Sequence, residues 1–600
     1  MPKRLAITIA GAVSLGSYEA GVLYEIITAI GAHNANAATT TDEHIEIDVL
    51  TGASAGGMTA VIAAQNLLYG RDSLKAPEDN AFFNPWVADI SLDSLMRLDS
   101  QTDPAYPDIP APEDPTHSIF SSNLIEKLAH KYITRRYRSS PPASRAPHPA
   151  AAKQIWLGLA LSNLNGVSYS YPLRVPQADG EQSFAYARFQ DEMTGLFLAD
   201  GSDGKDTPKA WELWREAAVS CGAFPFAFRA KTLHRNEHEY TRHHLDPWAT
   251  PDRDFVYTDG GIFQNEPLGL AKNLVDLIDR PEGPASNYQN SDTRFYLYVA
   301  PGAKTSDASD SFTSAKAAFL PTAQAIVGAV LHQAKFQDWV NAEKVNDQIH
   351  VFNLRAEQLF NALRAKEVDP QVLQAAADVL LPGLFETEPP PPPPRTMEDS
   401  VEEARGRLRK QFAKESTELL ASDVEAERAW IDAILVLETA AGLNFRDEMY
   451  IYGITATRKE LAGAGMFAFE GFFDLVLRRH DYNLGRKKAR EFIGQHSGRA
   501  PERVAGSPEP PPDIGPIRYD PTDTVQDISV PERDPDTGDV LVSKLNSDVR
   551  QRLLDTASQR AGEIVNELLA GLNVSKFLVI PLRWALNPII KGELRKRLGL

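Results

Sequence analysis

Apolar residues recur along this chain with two different periods. In the N-terminal half, short continuous apolar runs alternate with stretches of helical period, as strands and helices would in turn. Leu5-Ala6-Ile7-Thr8-Ile9 reads as a buried strand leading into the loop Gly11-Ala12-Val13-Ser14-Leu15-Gly16-Ser17. A helix follows from Tyr18 to about Ile30, with Ala20, Leu23, Tyr24, Ile27 and Ile30 on one face. A second strand, Ile45 to Leu50, runs into Gly52-Ala53-Ser54-Ala55-Gly56-Gly57 and a helix of small residues. Further strands are expected at Ile155 to Leu161, Phe255 to Thr258 and Thr293 to Val299, and helices at Asn123 to Arg136, Trp211 to Ser220 and Leu268 to Leu277. This alternation predicts an α/β fold on a mostly parallel sheet.

Residues 70–150 break the rhythm with clustered prolines and read as an insertion, either a lid over a site or a surface excursion. Beyond about residue 310 the pattern turns helical. Pro321 to Val345 has an apolar face through Ala325, Val327, Val330, Leu331 and Trp339, and 351–381 is mixed. Pro389 to Pro394 is a polyproline run, a spacer or a ligand for a proline-reading module. Residues 398–441 read as a long charged amphipathic helix or a pair of them. Residues 442–495 read as more helix rich in aromatics, 501–535 as a mobile loop, and Leu541 to Leu569 as helix. The expected organisation is therefore 1–310 as the α/β domain, 311–388 as its helical extension, 389–397 as a linker, and 398–600 as a largely α-helical C-terminal region with a mobile loop near 500–540.

Charge and composition narrow the function. The 600 residues are 43% hydrophobic and 24% charged, an ordinary globular balance. The 62 basic against 81 acidic residues leave a net charge of -19, which argues against nucleic-acid binding. Cys221 stands alone, so no internal disulfide or multi-cysteine zinc site is available, and a reducing, cytoplasmic compartment fits. Met1-Pro2-Lys3-Arg4 and the apolar run after it could pass for a signal peptide, but the β-branched residues favour a strand. No uninterrupted apolar run is long enough to span a bilayer. The tail Phe577 to Arg597 is apolar, carries Trp584 and ends basic; it either docks on the protein or makes a peripheral membrane contact.

Three turns carry candidate chemistry. Gly52-Ala53-Ser54-Ala55-Gly56 between a buried strand and a helix has the form of a nucleophile elbow, which lifts the serine hydroxyl over a helix N-terminus. A glycine-rich turn with an inert serine is the competing reading. The Gly11 to Gly16 loop is an anion cradle by position, but Val13 stands where a dinucleotide fingerprint needs glycine. Phe255 to Thr258 delivers Asp259-Gly260-Gly261, followed by Asn265 and Pro267; alone, such an aspartate is usually a turn residue.

Taken in order, the Gly11 to Gly16 loop, Gly52-Ala53-Ser54-Ala55-Gly56, the Ala217 to Ala227 segment and Asp259-Gly260-Gly261 with Asn265 resemble the motifs of patatin-like phospholipases. Leu461 to Arg486 also resembles C-terminal parts of some bacterial members. The resemblance implies a three-layer α/β/α domain and a Ser-Asp dyad, with Ser54 as nucleophile and Asp259 as its base. It implies an oxyanion hole from the N–H groups of Gly11, Ala12, Val13 and Ala55, with Gly16, Gly52, Gly56, Gly260, Gly261 and Asn265 as motif residues. No metal or cofactor is implied, and the substrate would be a lipid ester. The family loop usually reads Gly-Gly-Gly-x-Arg-Gly. Here Ala12 and Val13 restrict the backbone and Leu15 replaces a positive charge, from which a preference for less anionic esters is expected. A catalytically silent lipid-binding or scaffold protein is the alternative, and a triad with one of the 13 histidines is a third possibility.

Overall fold

The computed structural model describes residues 2–70, 74, 76–134, 146–173, 182–202, 207–236, 239–240, 252–279, 293–302, 319–385, 397–443, 449, 451–496, 514–535, 538–571, 592 and 595. The polyproline run and the tail Phe577 to Arg597, apart from 592 and 595, lie outside them. Among the described residues no helix is long and apolar enough to cross a membrane.

The opening strand β1 (Lys3–Ile9) is followed by α1 (Gly16–Ala35), β2 (Ile45–Gly52) and α2 (Ala55–Tyr69). After two short helices, α3 (Leu92–Met96) and α4 (Ser122–Ala129), come β3 (Ala151–Leu173), β4 (Gln182–Leu198), α5 (Pro208–Cys221), β5 (Lys231–Arg235) and β6 (Arg253–Thr258). Then follow α6 (Leu268–Asp279) and β7 (Arg294–Ala300). The strands lie in the order β5-β6-β3-β2-β1-β7, with β4 paired to β3. β1 is parallel to β2 and to β7, and β2 is parallel to β3. The pairs β3–β4, β3–β6 and β5–β6 are antiparallel.

Alternation along β3 shows why helices cover both faces. Leu159 lies toward α2, near Gly57, whereas a Cβ on Gly158 would meet Leu270 and Leu274 of α6. The result is the expected α/β/α sandwich. Its core holds Leu5, Ile7 and Ile9 of β1, Ile45, Ile47 and Leu50 of β2, and Phe295, Leu297 and Val299 of β7. A charge pair is buried beside it, Arg294 with Asp48 at 2.7 Å, and Asp48 is fully buried.

The helical part departs from expectation. Residues 351–381 are not mixed: α7 (Phe319–Arg364) runs on, and α8 (Pro370–Phe385) follows. Ile349, Phe352, Ala356, Phe360 and Leu363 continue the helical spacing as buried residues. Residues 398–441 form three helices, α9 (Met397–Gln411), α10 (Ala413–Ser422) and α11 (Val424–Ala440).

The C-terminal region is also not one body. Contacts divide the chain into a unit of Met1–Val275, Thr293–Asp338 and Ile451–Leu600, and a second unit of Asp276–Asp292 and Trp339–Tyr450. The second unit has its own core around Trp430, whose indole N–H donates to the Ala356 carbonyl at 2.9 Å, with Phe360 and Phe412 beside it. Within the first unit, β8 (Ile451–Thr455) extends the sheet parallel to β7, where the pattern over 442–495 predicts helix. After it, α12 (Leu475–Gln495) packs on α1. The two backbones cross so closely that a Cβ on Gly21 would collide with the Tyr482 carbonyl, and one on Gly485 with the Tyr18 carbonyl. Fully buried Glu25 of α1 accepts from Arg486 at 2.9 Å and Arg490 at 2.6 Å. Residues 514–535, expected to be mobile, are tied along α12 through Asp523 with Arg486 and Arg490, Gln526 with Asn483, and Ile528 with His480. A final helix, α13 (Ser547–Gly571), closes the described chain except for two isolated residues.

Candidate active site

Ser54 stands between β2 and α2 with φ 52° and ψ -127°, a backbone position that side chains rarely tolerate. The turn is possible because its flanks are bare. A Cβ on Gly52 would strike the Gly56 carbonyl, and one on Gly56 would strike the Ala10 carbonyl. The elbow is also bolted to β1 by the Ala53 N–H donating to the Ile9 carbonyl at 3.2 Å. Ser54 caps α2 without using its own hydroxyl, which is thereby left for other partners.

That partner is Asp259. The Ser54 Oγ donates to Asp259 Oδ2 at 2.5 Å, across 205 positions of sequence. β6 ends at Thr258, and the Asp259 backbone is fixed on two sides: its N–H donates to the Ala223 carbonyl at 2.9 Å and its carbonyl accepts from Ser162 Oγ at 2.7 Å. The second carboxylate oxygen accepts from the Gly261 N–H at 2.7 Å. Gly260 has no room for a side chain, since a Cβ would collide with the Ala160 carbonyl of β3. Asp259 is 2% exposed. Burial pushes its carboxyl up to about 7, against the opposing pull of the bonds from Ser54 and Gly261. No ion pair or hydrogen bond joins Asp259 or Ser54 to a histidine among the described residues.

The Gly11 to Gly16 loop lies beside this pair. A Cβ on Gly11 would come within 3.0 Å of Ser54 Cβ. The expected donors require one correction. The Gly11 N–H already donates to the Asn265 carbonyl at 2.9 Å, so it is not free to receive an oxyanion. The N–H groups of Ala12, Val13 and Ala55 donate to nothing else among the described residues. Val13 has φ 51°, a left-handed position that glycine would take without strain and a β-branched residue takes only under constraint. Asn265 is the hinge between the loops, its side-chain amide also reaching the Gly11 carbonyl at 3.4 Å. Gly16 opens α1 against the Trp86 ring, where a Cβ would come within 2.7 Å. Leu15 is buried in the main core.

Ser162, whose hydroxyl donates to the Asp259 carbonyl, was not foreseen, and nothing local in its sequence marks it; Ala223, whose carbonyl accepts from the Asp259 N–H, lies in the Ala217 to Ala227 segment that the resemblance singles out. Cys221 is fully buried under the elbow, where a Cβ on Gly57 would strike its sulfur. Burial and the Asp259 charge push its thiol well up, so it is no nucleophile. An aromatic wall stands near the loop: Phe120, Phe224, Phe228 and Phe469, with ring centroids 5.5–5.8 Å apart, share a buried cluster with Val13 and Phe472.

An uncharacterized protein, y4iI, of Sinorhizobium fredii (strain NBRC 101917 / NGR234) is 25% identical over 362 residues, covering 50% of this chain and 49% of that protein. The chain thus spans about half the length of this relative. The family model for patatin-like phospholipases matches residues 7–272, an interval that contains the Gly11 loop, Ser54 and Asp259. Residues 7–272 of this chain are therefore similar to the patatin-like phospholipase family.

Proposed function

We propose that the protein is a lipid acyl hydrolase working through a Ser54–Asp259 dyad. One observation carries the reading: the nucleophile-type serine, in a strained elbow, donates at 2.5 Å to a carboxylate shut away from solvent. An ordinary aspartate, with a pKa of about 3.9, is a poor base toward a hydroxyl. Burial raises Asp259 to about 7, so its ionised form holds a proton far more readily while still populated at neutral pH.

In the forward step Ser54 Oγ attacks the ester carbonyl as its proton passes to Asp259 Oδ2. The oxyanion is received by the loop N–H groups of Ala12 and Val13 and by that of Ala55 at the N-terminus of α2, with Gly11 left out because Asn265 holds it. Each such donor is worth about 3 kcal/mol in the transition state, which offsets the modest strength of the base. Collapse expels the alcohol, which takes the proton from Asp259, and leaves the acyl group on Ser54. Water then enters by the same route: Asp259 takes its proton, and the freed acid leaves as Ser54 Oγ regains one. The aromatic wall by Val13, which suits an acyl chain, and the similarity of residues 7–272 to patatin-like phospholipases support a lipid substrate. Phospholipid or another lipid ester is the proposed substrate.

Digestion of a mixed lipid extract, followed by mass spectrometry, tests the reading. Wild-type protein is expected to release fatty acid, with Ser54→Ala and Asp259→Asn each slower by on the order of 10³-fold or more while remaining folded. Fatty-acid release that survives either substitution would contradict it. A folded wild type inert toward both the extract and short-chain nitrophenyl esters would favour the silent lipid-binding alternative.

A further inference from the structure

Residues 461–473 lie well outside the interval that matches the family, yet they grip the loop beside Ser54. Ser14 is fully buried. Its hydroxyl donates to the Ala468 carbonyl and accepts from the Gly471 N–H at 3.2 Å. A Cβ on Gly471 would stand 2.5 Å from Ser14 Oγ, so only glycine allows this approach. Both sides of the contact are strained. Val13, next to Ser14, has φ 51°, and Ala468, whose carbonyl takes the Ser14 hydroxyl, has φ 64°. Non-glycine residues hold such angles only when their surroundings leave no alternative.

The surroundings here are built for that. Asp481 of α12 accepts from the Ala462 N–H at 2.6 Å and the Gly463 N–H at 2.8 Å, pinning the start of the segment. Arg478, also of α12, donates to the carbonyls of Gly471 at 3.1 Å and Phe472 at 3.2 Å, and to Val87 at 3.0 Å. Phe469 packs against Phe224 and Phe120 in the cluster that contains Val13. From α12 to Ser14 the path is therefore continuous hydrogen bonding.

We propose that Ser14 is a positioning residue for the oxyanion loop, and that residues 461–473 are its seat. The Ser14 hydroxyl, held from both sides, keeps Val13 in its left-handed conformation and so keeps the Ala12 and Val13 N–H groups where the oxyanion forms. The segment does for this loop what extra glycines would do in the usual one, where the strained angle is free of conflict. The role in turnover rests on the hydrolase reading above; the mechanical clamp does not.

Two measurements on Ser14→Ala and the near-isosteric Ser14→Cys separate these. In hydrogen–deuterium exchange, the amides of residues 11–15 and 468–472 are expected to exchange at least about tenfold faster in Ser14→Ala, with β1 and α2 unchanged. With a short-chain ester, kcat is expected to fall roughly 10- to 100-fold in Ser14→Ala and less in Ser14→Cys, with KM within about twofold of wild type. Unchanged exchange in both segments would overturn the clamp whatever the activity. Faster exchange with unchanged kcat would overturn the positioning role and leave the hydrolase reading standing. Should Ser14→Ala fail to fold, Ser14→Cys carries both measurements.

Discussion

At the scale of single residues, the proposed role of Asp259 ties activity and stability to the same proton. Its folded pKa of about 7 lies above the unfolded value of about 3.9, so the folded state binds this proton more tightly than the unfolded chain does. The group's contribution to stability is therefore full below about pH 4 and is lost as pH rises toward 7, on the order of 4 kcal/mol in all. Asp259→Asn removes that loss. Its melting temperature is expected to exceed that of the wild type at pH 8, with the gap narrowing at pH 5, although turnover disappears. Scanning calorimetry at the two pH values checks this; an equal gap at both would contradict it. The proposed activity runs the other way, because Asp259 would act as base only when ionised. kcat/KM on an uncharged ester is expected to rise with pH through about 7 and level off above.

At the scale of elements, the strand–turn–helix around Ser54 was legible because everything it needs is local. A β-branched run sets the strand, two glycines flank the serine, and small residues open α2. Asp259 was not legible from its own neighbourhood; only the resemblance singled it out, since the Ala223 and Ser162 contacts that fix it come from far along the chain. For the same reason Gly11 was misassigned as a donor. Its N–H is claimed by Asn265, 254 positions away, and spacing alone could not show that. β8 was missed because its five residues become a strand only by pairing with β7. The contact of α12 with α1 was equally invisible, and it makes a prediction. Glu25 is the fully buried partner of Arg486 and Arg490, so Glu25→Ala leaves the two guanidinium groups with Asp523 as their remaining carboxylate partner. A loss of about 1–3 kcal/mol in urea unfolding is expected. A loss under about 1 kcal/mol would mean that the pairs contribute little to holding the helices together.

At the scale of the whole molecule, the expected boundary at residue 310 cuts through a single folded unit. A chain ending there lacks β8, α12 and the segment that seats Ser14, and it leaves the β7 edge bare. Such a fragment is expected to be insoluble or to unfold without cooperativity, and to have no esterase activity. A soluble, cooperatively unfolding fragment with wild-type kcat would refute this. The unity of the first unit matters because the proposed chemistry rests on three loops meeting: the elbow, the Asp259 turn and the clamped donor loop. Their product is one activated hydroxyl, and covalent labelling reads it directly. An alkyl fluorophosphonate is expected to modify Ser54 alone, as localised by peptide mass spectrometry, and to do so at least about 100-fold more slowly in folded Asp259→Asn. Labelling of Ser54 at the same rate in that variant, or labelling of another residue instead, would contradict the dyad.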